Sequence, residues 1–238
     1  MSSARWVWAS ISNIGGFDPQ RITELDWGEQ AALGGGFTVY CRPARHFSGR
    51  TFRANRTLWA SFVVETPSQR IFLGGDGGYD THFADVAREF PNLDVAVLED
   101  GQYSEDWRYI HMLPADLKRA VEDLGARRVF PAHNSKYALA RHPWDEPLNN
   151  AAALAAENPE AGIVLPRIGE PVRLDRSDTL PGRWWTAPEN ERERRSAFAL
   201  FFLSFSGIPG AIFALIGYGF HQLADLFGIA QKVIFHQT

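Results

Sequence analysis

Several features are scarce in this sequence, and each scarcity excludes a class of protein. The chain has one cysteine, Cys41, so it cannot form an intrachain disulfide. Its net charge is −4, which leaves no electrostatic basis for binding nucleic acid. Residues 1–10 show no basic segment followed by a long apolar core, so no signal peptide is predicted. We therefore expect a protein of the cytoplasm, or of the cytoplasmic side of a membrane, that does not bind nucleic acid.

The composition predicts a folded domain of moderate size. Hydrophobic residues make up 45% of the chain and charged residues 22%, so the sequence can bury a sizeable core. The length of 238 residues fits one domain, or one domain with an appendage. Nothing in the sequence predicts an oligomeric state.

Residues 71–80, IFLGGDGGYD, are the most informative stretch. A short apolar run ends at two glycines and is followed by Asp76, which is typical of a buried strand that turns sharply at its end. Open α/β sheets bind ligands at such strand ends. Asp76 is therefore either a metal ligand or the cap of the following helix. A phosphate-binding glycine loop is disfavoured, because no Lys-Ser/Thr pair follows the glycines.

The segment before Asp76 is rich in strand signals. Strands are predicted at residues 21–27, 37–42, 57–65 and 71–73, and residues 31–36 are predicted to form a turn. The connections between these strands are short, so we expect an antiparallel meander.

After Asp80 the apolar period becomes helical. The first helix has apolar residues at positions 83, 86, 87 and 90, with Asp80 or Thr81 as its cap. The second runs from Pro114 to a stop at Gly125, and the third spans about residues 148–157. Strands are predicted at 94–99, 128–130, 162–166 and 171–174. This order predicts an α/β domain with a mixed sheet and outer helices.

Three potential metal ligands follow predicted strands. His46, Asp76 and His133 each lie in a loop that contains Gly or Pro. Imidazole and carboxylate suit zinc, and iron or manganese are acceptable alternatives. A single histidine at a strand end is more often a hydrogen-bonded surface residue. Three ligands at corresponding strand ends predict instead that the side chains converge in one cleft.

Several motifs, in this order, resemble the metallo-β-lactamase superfamily. The segments are RITELDW, HFSGR, TLWASFV, GGDGGYD, DGQYSEDWRYIHMLP and PAHNSKYALARHPWDEP, and together they cover roughly residues 20–186. They are most similar to the branch that contains N-acylphosphatidylethanolamine-hydrolysing phospholipase D and ascorbate-6-phosphate lactonase. The resemblance implies one half of an αβ/βα sandwich.

The resemblance also implies roles for individual residues. His46 would bind a first metal, His133 a second, and Asp76 both, while His111 would lie near the substrate at the rim of the cleft. Asp100, Gln102 and Tyr103 would line its mouth. The implied reaction is hydrolysis, in which two metals lower the pKa of a bridging water and the resulting hydroxide attacks a phosphoryl or carbonyl centre.

The sequence departs from the family pattern in three places. Gly77 stands where the family has Thr, and Asn134-Ser135 stands where it has Trp-Gly. The family's His-x-His-x-Asp-His motif does not occur, because no two of the seven histidines are separated by one residue. We therefore expect the C-terminal half of the fold without the half that carries this motif, with weak metal occupancy and impaired activity.

A different composition begins after residue 186. Residues 187–195 are predicted to be a charged linker, and residues 196–220 contain no charged side chain. An uncharged stretch of this length is a membrane-span candidate, but the break at residues 206–210, SGIPG, favours two short helices in a hairpin or at an interface. The alternative is a pair of helices packed on the domain. We therefore expect an apolar helical tail at 196–238 after a domain at 1–186.

Three functions are compatible with these observations. The first is a metal-dependent hydrolase that acts on a phosphodiester, lactone or similar ester, with a small-molecule or lipid-like substrate. The second is a non-catalytic binding module that keeps part of the fold. The third is a membrane-anchored protein that uses the domain as a scaffold.

Overall fold

A six-stranded mixed sheet forms the centre of the structure. The computed structural model describes residues 22–48, 55, 58–136, 139–174, 183–186 and 203–204. The strands lie side by side in chain order, from β1 to β6. They are β1 Gln30–Gly34, β2 Phe37–Pro43, β3 Ala60–Glu65, β4 Arg70–Leu73, β5 Val95–Glu99 and β6 Arg128–Ala132. The pairs from β1 to β4 are antiparallel, whereas β4, β5 and β6 run parallel.

The predicted antiparallel meander is confirmed, but two of its parts were placed wrongly. The strand predicted at 21–27 does not extend over residues 24–27, because the chain turns there: Glu29 N donates to Asp26 O at 3.0 Å and Gly28 has a positive φ of 85°. Residues 30–34 form β1 rather than a turn, and the tight turn is at Gly35-Gly36. The segment QAALG has no β-branched residue, so only its backbone pairing with β2 reveals it as a strand.

Three helices follow in the predicted places. They are α1 His82–Glu89, α2 Pro114–Leu124 and α3 Glu146–Glu157. Helix α2 begins at a proline and ends before Gly125, which takes a left-handed φ of 55° that favours glycine. Thr81 occupies the N-cap position of α1 but makes no side-chain hydrogen bond there. Short 3₁₀ helices lie at Glu105–Trp107, Pro159–Ala161 and Trp184–Thr186.

Both faces of the parallel strands are covered by apolar side chains. Phe72, Ala96 and Val129 face the helices and belong to the larger core, together with Leu117 and Leu148. On the opposite face a second cluster is formed by side chains of the same strands together with Val164 and Leu174, which follow α3. The strand residues of this cluster are Ile71, Val95, Val97 and Phe130. Burial on both faces explains why these strands read as continuous apolar runs rather than alternating ones. The predicted α/β class, a mixed sheet with outer helices, is confirmed.

The last predicted strands are shorter than expected. Ile163 makes a single parallel bridge to Val129, in place of a strand at 162–166. Strand β7 spans only Val172–Arg173 and pairs in parallel with β8, Leu203–Ser204. In the part of the chain that the structure describes, no helix is long and apolar enough to cross a membrane. Residues 187–202 and 205–238, and with them the predicted linker and nearly all of the tail, lie outside that part.

His82, the first residue of α1, should make the stability of the protein depend on pH. Burial lowers the pKa of His82 to about 4, and its ring lies 4.0 Å from that of Phe83. His82 therefore becomes protonated near pH 6.5 in the unfolded chain but only near pH 4 in the folded chain. We expect the free energy of unfolding to fall as pH decreases through this window, by about 2 kcal/mol from this group after allowance for its partial exposure.

Urea unfolding of the wild type and of His82→Gln, at about pH 7.5 and about pH 5, measures this contribution. The variant should lose less stability than the wild type between the two values. Equal losses in the two proteins would show that His82 does not cause the dependence.

Candidate functional site

The candidate site lies at one edge of the sheet, where the parallel strands end. Asp76 follows β4, Glu99 is the last residue of β5, and His133 follows β6 directly. Parallel strands bring their carboxyl ends to the same edge, which explains why side chains so far apart in sequence meet. His46 arrives at this edge from the loop after β2, and His111 from the loop before α2.

The predicted ligands lie together around His111. His133 Nδ1 is 3.6 Å from Asp76 Oδ1. The ring of His111 stacks on that of His133 with centroids 5.5 Å apart, and it meets the ring of His46 edge-on at 5.4 Å. His111 was expected at the rim, but the structure places it between the two other histidines. Its side chain is 12% exposed, compared with 32% for His133.

Close backbone packing holds the loop of Asp76 against its neighbours. Gly78 N donates to Arg45 O at 2.8 Å, which ties this loop to the loop that carries His46. A side chain at Gly78 would collide with the carbonyl oxygen of Tyr109, so the absence of a Cβ lets the loop of His111 approach. His133 itself has a positive φ of 63°, which few residues other than glycine adopt.

Glu99 is a member of the site that the sequence reasoning missed. Its side chain is 0% exposed, and its Oε2 accepts from Gly77 N at 2.9 Å and lies 2.8 Å from His111 Nδ1. Burial raises the pKa of Glu99 well above its usual range, and the charge of Asp76 acts in the same direction. The available signal was an acidic residue that ends the predicted strand at 94–99, directly after the apolar run VAVL.

The three histidines of the site favour the neutral form. Burial lowers the pKa of His46, His111 and His133, while the nearby Asp76 carboxylate opposes this in each case. Neutral imidazole is the form that binds metals, because a protonated ring nitrogen has no lone pair to donate. The electrostatics of the site therefore suit ligand chemistry near neutral pH.

The three residues expected to line the mouth of the site are buried. Asp100, Gln102 and Tyr103 lie below the surface, because the chain after β5 turns inward under the segment that follows His133. Gln102 Oε1 accepts from the backbone N–H groups of Leu139 and Ala140, at 2.8 and 3.1 Å. Tyr103 donates its hydroxyl proton to Glu146 at 2.7 Å, which fastens the loop to α3. These contacts support the loops rather than an open mouth.

The donor atoms of this site are of the types that bind a divalent metal, but too few of them are arranged to hold one. His46, Asp76 and His133 supply two imidazoles and a carboxylate, which is the ligand chemistry of zinc, iron and manganese sites. His46 Nδ1 lies 2.7 Å from Phe47 O, which leaves Nε2 to face a ligand. Yet among the described residues no three His, Cys, Asp or Glu side chains are arranged to hold a metal ion. These residues therefore match a metal site in the type of donor but do not by themselves complete one.

Comparison with known sequences identifies the family. A beta-lactamase superfamily domain matches residues 5–134, more than half of the chain. The chain belongs to the metallo-β-lactamase superfamily. It is 52% identical over 96 residues to an outer membrane protein, RomA, of Klebsiella pneumoniae, covering 40% of this chain and 73% of that one.

Two further relatives are longer than this chain. An uncharacterised protein of Mycobacterium bovis is 39% identical over 176 residues, covering 71% of this chain and 46% of the relative. The mitochondrial N-acyl-phosphatidylethanolamine-hydrolyzing phospholipase D of Saccharomyces cerevisiae is 30% identical over 143 residues, covering 56% of this chain and 31% of the relative. The chain therefore spans less than half the length of both proteins.

Solved structures confirm the fold. An isothiocyanate hydrolase from Delia radicum gut bacteria superposes with a TM-score of 0.53 and 19% identity, over 68% of this chain and 62% of that one. A metallo hydrolase from Ignicoccus hospitalis gives a TM-score of 0.51 and 17% identity, over 66% and 60%. The family is one of metal-dependent hydrolases, which implies a divalent metal, and this chain matches part of the fold.

The two glycines after Asp76 allow a matched test of the loop packing. Gly78→Ala should destabilise the protein by about 1–3 kcal/mol, because its Cβ would collide with the backbone of Tyr109. Gly77→Ala is the control, since its Cβ would lie an ordinary 3.5 Å from the backbone of Arg45. Urea unfolding measures both. Equal destabilisation of the two variants would contradict the close approach of the loops.

Proposed function

We propose that this protein is a metal-dependent hydrolase that acts on a phosphodiester, lactone or similar ester. The observation that carries the proposal is the convergence of His46, Asp76, His111 and His133 at the carboxyl edge of the parallel strands. A metal bound at such a site acts as a Lewis acid and lowers the pKa of water. The metal is proposed to be zinc, with manganese or iron as alternatives.

In this proposal the residues of the cluster have different roles. His46, Asp76 and His133 supply ligand atoms, and Asp76 adds the negative charge that holds cations at the centre of the cluster. His111 is held between the two other histidines, so its ring can orient the substrate or stabilise charge that develops on it. Backbone contacts keep these loops in place, so little rearrangement is needed for binding.

The surface beside the histidine cluster is suited to bind an ester substrate that has an apolar part and an anionic part. Phe47 stacks on His46 with ring centroids 5.1 Å apart and is 41% exposed. Tyr109, 59% exposed, lies under the guanidinium of Arg45, with the Arg45 Cζ 4.7 Å from the ring centroid. Exposed aromatic faces bind apolar groups, and a guanidinium binds phosphate or carboxylate. A lipid-like phosphodiester combines these groups, as does the substrate named for the yeast relative.

A second candidate is a non-catalytic binding module. It is favoured by one observation: the described donors do not include three that are arranged to hold a metal ion. A catalytic zinc normally has three protein ligands and one open position. We therefore propose that the chain on its own binds metal weakly and turns over slowly, which distinguishes it from a protein with no hydrolytic activity.

Metal binding and turnover can be measured on one preparation. The purified chain, with zinc or manganese added, should bind less than one metal tightly per chain and hydrolyse bis(p-nitrophenyl) phosphate slowly, at a rate that rises with metal concentration. Asp76→Ala should abolish this turnover, because it removes the carboxylate at the centre of the cluster. Asp85→Ala is the control, since Asp85 is exposed on α1 and its Oδ1 lies 2.9 Å from Arg88 Nη1 on the same helix.

Two results would overturn parts of the proposal. About two tightly bound metals per chain, with turnover that requires Asp76, would refute the incomplete site. Hydrolysis that is absent at every metal concentration, or unaffected by Asp76→Ala, would refute the hydrolase and leave the binding module.

We also propose that residues 196–220 associate with a membrane from the cytoplasmic side. The stretch contains no charged residue and includes phenylalanine, leucine and isoleucine throughout. A chain of residues 1–190 should therefore be more soluble than the full chain, and a chain of residues 1–220 should not. Partition between aqueous and detergent phases measures this. A full chain that stays in the aqueous phase without detergent would contradict membrane association.

A further inference from the structure

We propose that Glu99 is a positioning residue that holds His111 with its proton on Nδ1, so that Nε2 faces the substrate. The inference rests on the proposed function for the identity of that substrate, but the tautomer itself does not depend on it. The pair joins the end of β5 to the loop before α2, at the centre of the histidine cluster.

The first argument is the hydrogen bonding of one oxygen atom. Glu99 Oε2 accepts from Gly77 N at 2.9 Å, so this oxygen already presents a lone pair to a backbone donor. The same oxygen lies 2.8 Å from His111 Nδ1. Two acceptors cannot bond to each other, so the contact needs a proton, and an oxygen that serves as acceptor on one side is best matched by an N–H on the other. The second donor is therefore His111 Nδ1–H.

The second argument is the position of the other ring nitrogen. Nε2 lies on the far side of the imidazole ring from Nδ1, so fixing Nδ1 on Glu99 directs Nε2 away from this buried carboxyl group. The ring planes of His111 and His133 differ by only 11°, and Trp107 meets the His111 ring at 6.1 Å. The His111 ring is thus packed on several sides. Its contact with Glu99 occupies Nδ1 and leaves Nε2 for a ligand.

The third argument is the unfavourable burial of the carboxyl group. Glu99 is 0% exposed, and burying a carboxyl group costs free energy unless hydrogen bonds replace those it made to water. A merely structural filler at this position would be apolar. Glu99 instead contacts Gly77, next to Asp76, and His111, so a single side chain positions two elements of the site.

Nitrogen NMR of the ¹⁵N-histidine-labelled full chain reads the tautomer directly. At about pH 8 the neutral ring dominates, and the Nδ1 and Nε2 shifts show which nitrogen carries the proton. The signals of His111 are identified by their loss in His111→Gln. We expect the Nδ1–H form in the wild type and a shift toward the Nε2–H form in Glu99→Gln, which replaces one carboxyl oxygen with an amide nitrogen but keeps the shape.

Kinetics on bis(p-nitrophenyl) phosphate give the second readout. Glu99→Gln should lower kcat by about 10- to 100-fold, with KM changed by less than about threefold, because the ring would be held in the wrong state but substrate contacts would remain. Glu65→Gln is the matched control: its carboxylate accepts from the Tyr40 hydroxyl at 2.8 Å, and Glu65 pairs with Arg70 at the start of β4, the opposite end from Asp76. It should leave both the His111 shifts and kcat unchanged.

The outcomes separate this inference from the proposed function. An Nε2–H tautomer of His111 in the wild type would overturn the inference, whatever the activity, and this result needs no variant to fold. An unchanged tautomer in a folded Glu99→Gln would do the same. Absence of hydrolysis with the Nδ1–H tautomer present would refute the hydrolase but leave the assignment of Glu99 standing.

Discussion

The parallel pairing of β4, β5 and β6 is the constraint on which the rest of the structure depends. Because these strands run side by side in one direction, their carboxyl ends bring Asp76, Glu99 and His133 to one edge of the sheet. Helices cover one face and the segment after α3 covers the other, so the strands are buried on both sides. The strands that carry the site are therefore anchored in the core on both faces.

Close backbone approach completes the site where side chains alone could not. The loop after β4 passes so near to Tyr109 and Arg45 that Gly78 has no room for a Cβ. This approach brings the loops of His46 and His111 onto the carboxylate of Asp76. The buried Glu99 then links the same loops through Gly77 N and the His111 ring, and these contacts offset part of its desolvation.

Much of the fold was predictable because its signals are local. The helical spacing of the apolar residues in α2, together with Pro114 and Gly125, located that helix to the residue. The apolar run of β4 and the glycines after it located Asp76 at a strand end. By contrast, β1 was missed because QAALG has no β-branched or aromatic residue to signal a strand. The strand predicted at 21–27 was wrong because the chain turns at Trp27-Gly28.

The sequence by itself determined the class of the fold, the family and the placing of His46, Asp76 and His133 after strands, because periodicity and motif order are properties of the chain. Only the tertiary structure decided which of these residues meet. It buried Asp100, Gln102 and Tyr103 beneath the segment after His133, moved His111 from the rim to the centre, and added Glu99 to the site. The physical reason is that burial and hydrogen bonding depend on the pairing of distant strands, which no local pattern records.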